Sequence, residues 1–121
     1  MENVSIKIDE FLRFIRESAI QYDYAINEVK RCEDQTQDIL HKLELEDIKY
    51  KERAKYATMI QKIRRERREL KDEALLKSPI VQWGKSHIRE LNELEKLLGE
   101  VRKLEKVCSG AAYTNYIRNR T

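Results

Sequence analysis

Apolar side chains recur along the first third of the chain at alternating spacings of four and three residues. This is the heptad spacing of a helix that buries one narrow face against a partner. It predicts a first helix over residues 9–43, with Asp9 as its N-terminal cap. The spacing weakens at Glu33 and Thr36 and then resumes. The apolar positions are Ile8, Leu12, Ile15, Ala19, Tyr22, Ile26, Val29, Leu40 and Leu43.

Two further helices are predicted after this one. Acidic residues at 44–47 suit the positive end of a second helix, which we place at 47–77 after a chain reversal at 44–49. Ser78 and Pro79 form a typical N-cap and first-turn pair, so a third helix is predicted over 79–107. Gly84 also allows a short helix at 79–83 followed by a longer one from 86. The apolar faces consist of Ala57, Ile60, Ile63, Leu70 and Ala74, and of Leu91, Leu94, Leu97, Leu98, Val101, Leu104 and Cys108.

The two ends of the chain carry a different pattern. Residues 4–8 alternate between apolar and polar, which is a short strand signal. The residues from Ala111 onward have no helical repeat and suit either a strand that pairs with 4–8 or a loop that folds over a ligand. We therefore predict an all-α fold of two or three long antiparallel helices in one domain, 1–121. A small two-stranded element built from the termini is the one addition to this fold that the pattern allows.

Composition supports a few long helices. Charged residues make up 39% of the chain, with only 3 Gly and 1 Pro for turns. Long helices with a narrow apolar face usually complete their burial in an oligomer, so we expect a homo-oligomer. The net charge of +3 hides an asymmetry, because residues 1–47 carry 6 basic and 12 acidic side chains, and residues 48–121 carry 19 and 10. Complementary helices explain this asymmetry, and so does a basic surface for phosphates or nucleic acid.

The chain offers little for catalysis or metal binding. Cys32 and Cys108 are far apart, and His41 and His87 are the only histidines, so neither a zinc site nor a disulfide framework is predicted. Neither a serine–histidine–aspartate arrangement nor a glycine-rich phosphate loop is recognisable. We expect a protein that is not an enzyme and needs no cofactor. The sequence shows neither a signal peptide nor an apolar run of about 18 residues, which predicts a cytoplasmic protein outside the membrane.

A run of basic residues lies inside the second predicted helix. At about 3.6 residues per turn, four of its members share one broad side. Arg67 also falls on the apolar face, where a leucine is expected, so its guanidinium must be paired or must await an anionic ligand. One interpretation is a solvated face in which Glu66 and Glu69 pair with arginines. The other is a phosphate-binding site, symmetric if two copies of the helix meet. The four residues are Arg64, Arg67, Arg68 and Lys71.

Two aromatic features are further candidates. Trp83 is the only tryptophan, and it caps a core at a helix junction or forms a stacking platform for a base. The C-terminal tail is an ordinary mobile terminus or a nucleotide-binding segment, in which tyrosines stack, an amide reads a polar edge and arginines neutralise phosphate. The tail residues are Tyr113, Asn115, Tyr116, Arg118 and Arg120.

Two blocks of the chain resemble small, mostly helical phage and prophage proteins of Gram-positive bacteria. The block 37–72 begins QDILHKLELED and ends RRERRELKD, and the block 91–106 reads LNELEKLLGEVRKLEK; together they cover under half of the chain. On these blocks the chain resembles the phage anti-Thoeris sponge proteins. The resemblance implies a non-enzymatic protein that binds the cyclic ADP-ribose isomer made by a bacterial TIR-domain immune enzyme. It also implies an oligomer with a separate pocket for cyclic oligonucleotides, and an aromatic stacking residue at Trp83.

The resulting hypothesis is sequestration of a small cyclic nucleotide by a homo-oligomer, a dimer or a hexamer, in the cytoplasm of an infected bacterium. Trp83 with Tyr113 or Tyr116 stacks on the base, and Arg64, Arg67 and Arg68 line a second anion site. The ribose and pyrophosphate groups are assigned to Asn92, Asn115, Arg118 and Arg120. The alternatives are a helical nucleic-acid-binding protein that uses the same basic side, and a protein-binding coiled coil that inhibits a partner or assists virion assembly.

Overall fold

The structure is a computed structural model that describes residues 3–109, and it is helical throughout. Helix α1 spans Ser5–Leu45, α2 spans Tyr50–Ser86 and α3 spans Ile88–Cys108. The predicted all-α class is confirmed, and no strand occurs between residues 3 and 109. The predicted reversal is confirmed as well, and Ile48 is buried within it. None of the helices in this part of the chain is long and apolar enough to cross a bilayer.

The predicted strand at residues 4–8 is wrong, because α1 already begins at Ser5. The Asn3 side-chain amide lies 2.9 Å from the Ser5 hydroxyl, within hydrogen-bonding distance, just before the first turn. Asp9 is therefore not a cap, but lies inside the helix and forms an ion pair with Arg13 at 2.8 Å. An alternation over so few residues does not outweigh the helical spacing that it shares with the residues that follow. The suggested partner strand in the tail lies outside the described residues.

The predicted helix break at Ser78 and Pro79 is also wrong. Helix α2 continues through Pro79 to Ser86, and the break falls at His87, so the alternative short helix at 79–83 is not formed either. A proline inside a helix removes the hydrogen bond to the carbonyl four residues earlier, here that of Leu75. Pro79 and Leu75 both lie on the exposed side of α2, where water can supply the missing partner.

The buried face of α1 agrees with the predicted one at Leu12, Ile15 and Val29, and it is displaced by one residue at three other positions. Ser18, Ala25 and Ile39 are buried, where the pattern predicted Ala19, Ile26 and Leu40; Ile26 and Leu40 are 46% and 40% exposed. The face does not weaken in the middle, since Cys32 is fully buried. Thr36 is half-buried, and its hydroxyl donates to the Cys32 carbonyl at 2.9 Å, so burial leaves this polar group paired. Small residues line the buried face of α1 at the displaced positions. A pattern based on large apolar side chains therefore places the predicted face beside these small residues.

Contacts within the chain form two compact units. Unit 1 comprises residues 1–17 and 82–121, of which 3–17 and 82–109 are described, and unit 2 comprises residues 18–81. The predicted single domain is a statement about which parts of the chain fold independently. The division into two compact units does not test it, so it stays a prediction.

Unit 2 is an antiparallel pair of helices. Lys77 of α2 donates to Gln21 of α1, and further along the pair Arg31 of α1 contacts Glu66 of α2 at 2.7 Å. On both helices the buried and half-buried positions alternate at spacings of three and four residues, the pattern of coiled-coil packing. These positions are Ser18, Tyr22, Ala25, Val29, Cys32, Thr36, Ile39 and Leu43 on α1, and Tyr56, Ile60, Ile63, Arg67, Leu70, Ala74, Lys77 and Val81 on α2.

Unit 1 packs the first turns of α1 against the end of α2 and against α3. Leu12, Ile15 and Leu98 are buried here. Gly84 lies so close to α1 that an added Cβ would meet Cγ2 of Ile15 at 3.1 Å. The predicted apolar face of α3 is confirmed in its central positions, which are buried or half-buried, whereas Leu97 and Leu104 are each 43% exposed. The central positions are Leu91, Leu94, Leu98 and Val101.

Candidate anion-binding groove

One side of α2 in unit 2 carries a row of cations. Arg64, Arg68 and Lys71 follow one another at spacings of four and three residues, so a regular helix places them on the same side. Together with Arg65 and Arg67 they line an open groove of about 790 Å³ between α2 and α1. We call this the basic groove. The arginines chosen from the sequence, Arg64, Arg67 and Arg68, are therefore brought together.

The opposite wall of the basic groove comes from α1 and is nearly free of acid. Glu33, Gln37 and Leu40 line it at the same spacings of four and three, and Thr36 and Gln61 complete the lining. The groove thus holds five cationic side chains against one carboxylate. Within residues 3–109, no salt bridge reaches the guanidinium of Arg64, Arg65 or Arg68. Such an excess of positive charge in a concave surface favours an anionic ligand.

Arg67 occupies a position on the buried face of α2 and is paired. Both its Nε and its Nη2 donate to the same carboxylate oxygen of Glu33, at 3.0 and 2.8 Å. The Arg67 side chain is 35% exposed and the Glu33 side chain 51%. Arg67 is half-buried on the face of α2 that packs against α1. Of the two possibilities for this guanidinium, pairing within the chain is the one observed, and the partner is the only carboxylate of the basic groove.

A second ion pair joins α1 and α2 on the side of unit 2 that faces away from the basic groove. Arg31 donates to Glu66 at 2.7 Å, and it also binds Glu28 at 2.7 Å and Gln35 at 2.9 Å. The hydrogen bond to Glu28 is the main reason why the pKa of Arg31 is raised above its ordinary value. Glu66 is thus engaged by Arg31 across the helix pair, not by an arginine of its own helix as one sequence interpretation had it. The pair closes the side of unit 2 opposite the basic groove.

Cys32 lies between these two ion pairs. Loss of hydration on burial is the main cause that raises the pKa of its thiol, and the carboxylates of Glu66 and Glu28 add to it. The thiol is therefore held in its neutral form. Cys32 is thus a small core residue, whereas Cys108, which the apolar pattern places on the buried face of α3, is only half-buried.

Trp83 lies in unit 1, at the end of α2. Its ring stacks on His87 with a centroid distance of 4.3 Å and an interplanar angle of 14°, and Phe11 approaches it edge-on at 6.1 Å. His87 Nδ1 lies 2.7 Å from the Trp83 carbonyl oxygen, within hydrogen-bonding distance. Trp83 remains 40% exposed. It therefore helps to hold the α2–α3 junction and still presents indole surface to solvent.

The remaining predicted site residues are not gathered around the basic groove. Asn92 is exposed on α3 in unit 1, in a shallow hollow that it shares with Arg89, Glu93 and Lys96. The predicted residues of the tail lie beyond residue 109, outside the described part of the chain. These are Tyr113, Asn115, Tyr116, Arg118 and Arg120.

Sequence reasoning missed the α1 wall of the basic groove. Glu33 was noted only as a weak point of the apolar pattern, and Gln37 was not considered. Their spacing with Leu40 marks one side of α1, but the spacing alone does not indicate which side of α2 that wall faces. Leu40 was assigned to the core because of its size, and at 40% exposure it belongs to the groove.

Comparisons with known proteins add no further evidence on the site. No protein-family model, curated protein or solved structure matches the chain. Within residues 3–109, no group of three or more histidine, cysteine or acidic side chains is placed to hold a metal ion. The basic groove is therefore the candidate site that the geometry favours.

Proposed function

We propose that this protein binds and sequesters a small cyclic nucleotide without converting it, in the cytoplasm of a bacterium infected by a phage. The observation that supports this most directly is the basic groove, with five cations facing one carboxylate. Arginine is the side chain best suited to phosphate, because its planar fork donates two parallel hydrogen bonds to two phosphate oxygens. Three of the four arginines in the groove carry no salt bridge within the described residues.

The dimensions of the basic groove favour a ligand with more than one phosphate. From Arg64 to Lys71 the α2 wall advances by about 10 Å at a rise of about 1.5 Å per residue. That length exceeds a single phosphate group and suits the phosphates of a cyclic oligonucleotide. Gln37 and Gln61 offer amides for sugar or base edges, and Leu40 offers a small apolar surface. A ligand of this class uses every kind of side chain in the groove.

The resemblance to the sponge proteins extends the proposal to a second ligand. In this proposal a cyclic ADP-ribose isomer stacks on Trp83 and on Tyr113 or Tyr116. Asn92, Asn115, Arg118 and Arg120 hold its ribose and pyrophosphate groups. The exposed indole surface of Trp83 agrees with this role. The functional unit is proposed to be a homo-oligomer, and Leu75 and Leu76, 72% and 76% exposed in unit 2, are apolar surface that association would cover.

Titration calorimetry with cyclic di-AMP tests the groove. Replacing Arg64 and Arg68 together by glutamine should weaken binding at least tenfold, since hydrogen bonds to charged groups contribute about 1.5 kcal/mol or more each. The matched control replaces Lys51 and Lys55 by glutamine, because they have the same four-residue spacing on the same helix but line a different hollow. Equal losses in both double variants would refute a groove-specific site. Absence of binding by the unmodified protein would refute the cyclic oligonucleotide ligand.

The cyclic ADP-ribose ligand needs a separate experiment. The protein is incubated in extract from cells with active TIR signalling, purified, heated, and the released small molecules are identified by mass spectrometry. A released cyclic ADP-ribose isomer that is absent from the Trp83→Ala variant would support the proposal and its site. If the protein releases no nucleotide, this part of the proposal is wrong.

A second candidate function is nucleic-acid binding, which the openness of the basic groove favours. The groove is open to solvent along its length of helix, and further lysines occur in α2 toward its start. Affinity for duplex DNA would then fall steeply with salt and with shorter duplexes, because phosphate contacts release counterions. A sponge binds a small cyclic ligand with fixed stoichiometry and gains nothing from a longer strand. A titration series with duplexes of increasing length distinguishes the two.

A further inference from the structure

Glu33 is the one feature of the basic groove that opposes an anionic ligand. Its carboxylate oxygen accepts both hydrogen bonds from Arg67, at 3.0 and 2.8 Å, so it occupies the donors that a phosphate would use. The two side chains come from different helices, and both line the groove. An anion that enters the groove meets four cationic side chains that are not paired with Glu33. The fifth, Arg67, is already neutralised by Glu33.

The contacts around Glu33 favour exchange of its carboxylate. Its side chain is 51% exposed, so the carboxylate can turn into water without leaving a buried charge behind. Among the described residues, Arg67 is the only ion-pair partner of Glu33. Arg67, in contrast, occupies a half-buried position on the face of α2 that packs against α1. Arg67 therefore stays at the groove when Glu33 departs.

The ion pair on the opposite side of unit 2 differs in the other partners of its arginine and in the charge around it, although its carboxylate, on Glu66, is 46% exposed. Arg31 is held by Glu28, Gln35 and Glu66 at once, at 2.7 to 2.9 Å. Glu66 lines a separate hollow with Met59 and Ile63, and that hollow has no excess of cations. The Arg31–Glu66 pair links the helices, and its surroundings do not favour an anion that would displace Glu66. Unit 2 therefore contains two interhelical ion pairs of different kinds: Arg31–Glu66 is structural, and Arg67–Glu33 is exchangeable.

We infer that Glu33 is an internal counter-ion of the basic groove, which a ligand carrying several phosphates displaces from Arg67. This inference rests on the proposed function of the groove and adds to it a residue that sets affinity. A single weak anion gains too little binding free energy to offset the loss of the Arg67–Glu33 ion pair. Several linked phosphates also bind the other cations of the groove at the same time. Glu33 thus selects multiply charged ligands over inorganic phosphate and other small anions.

The test compares Glu33→Gln with the unmodified protein in titrations with cyclic di-AMP, inorganic tripolyphosphate and inorganic phosphate. Glutamine keeps the size of the side chain and can still accept a hydrogen bond from Arg67, so the fold should be retained. We expect Glu33→Gln to bind cyclic di-AMP and tripolyphosphate about fivefold more tightly, which corresponds to about 1 kcal/mol. Its preference for tripolyphosphate over inorganic phosphate should decrease.

Two variants with the same change of charge serve as controls. Asp34→Asn alters an exposed neighbour that does not line the groove, and Glu66→Gln alters the structural pair. Both should change affinity by less than about twofold, the effect of net charge alone. As a direct readout, the NMR signal of the Arg67 Nε–H group should shift on ligand addition in the unmodified protein.

Each result decides the matter. If the unmodified protein binds and Glu33→Gln binds no more tightly than Asp34→Asn, the counter-ion role is refuted while the groove remains a binding site. If the unmodified protein and Glu33→Gln both fail to bind cyclic di-AMP and tripolyphosphate, the inference and the proposed function of the groove fall together. Tighter binding in Glu33→Gln with an unmoved Arg67 signal refutes displacement and leaves only a general charge effect.

Discussion

The two glycines that lie inside helices differ in their surroundings, and this difference yields a sharp prediction. Replacing a helical glycine by alanine should stabilise the folded state by about 0.5–1 kcal/mol, because alanine loses less backbone entropy on folding. At Gly99 an added Cβ has no neighbour within 4 Å, so Gly99→Ala should realise this gain in full. At Gly84 the same atom would lie 3.1 Å from Cγ2 of Ile15.

The contact at Gly84 requires a movement that unit 1 resists. Ile15 is only 9% exposed, and its branched Cβ leaves few rotamers, so its methyl group cannot turn away easily. Overpacking of this kind costs about 1–3 kcal/mol. The cost equals or exceeds the helical gain, so Gly84→Ala should be neutral or destabilising by up to about 2 kcal/mol.

Urea unfolding followed by far-UV circular dichroism measures both variants, at one fixed protein concentration so that self-association does not differ between samples. We expect Gly99→Ala to unfold at higher urea, and Gly84→Ala to be less stable than Gly99→Ala by at least about 1 kcal/mol. The double variant Gly84→Ala with Ile15→Ala, which removes Cγ2 of Ile15, should be less destabilised than the sum of the two single changes predicts. If Gly84→Ala stabilises as much as Gly99→Ala, the close packing of α1 on α2 at this point is refuted.

Four further predictions concern individual side chains. Burial raises the pKa of the Cys32 thiol in the folded state above its value in the unfolded chain. The neutral thiol therefore contributes fully to stability below the unfolded-state pKa, and this contribution is lost as pH rises through the folded-state pKa. Urea midpoints measured across alkaline pH should show this loss of stability, and Cys32→Ala should reduce the loss. In the native protein, half-buried Cys108 should react with iodoacetamide faster than Cys32, as peptide mass spectrometry would show; equal rates would contradict the burial of Cys32. Trp83→Ala should weaken binding of the cyclic ADP-ribose isomer and leave the oligomer intact by light scattering, whereas dissociation would mean that the indole is a structural contact only. Arg67→Glu should abolish binding of cyclic di-AMP and destabilise unit 2 by about 1 kcal/mol or more, because two carboxylates then face each other at Glu33; unchanged calorimetric titrations and urea midpoints would remove Arg67 from the site.

Much of the fold could be predicted from local patterns. The heptad spacing from Leu12 to Val29 indicated α1, and the leucines of α3 indicated its buried face, because both signals depend only on the geometry of a single helix. The break between α2 and α3 could not be placed in this way. Ser78 and Pro79 carry the local signal of a helix start, yet the loss of one hydrogen bond on an exposed side costs less than the packing that keeps α2 continuous.

The candidate site was predictable on one wall only. The sequence by itself determined that Arg64, Arg68 and Lys71 share a side of α2, since helical spacing is a local property. Only the tertiary structure decided that Glu33, Gln37 and Leu40 face them, and that Arg67 is paired with Glu33. The reason is that the register between two helices depends on how closely their buried faces approach, and here small residues such as Ala25 and Cys32 set that approach. A pattern of large apolar residues does not reveal which small ones the partner helix packs against.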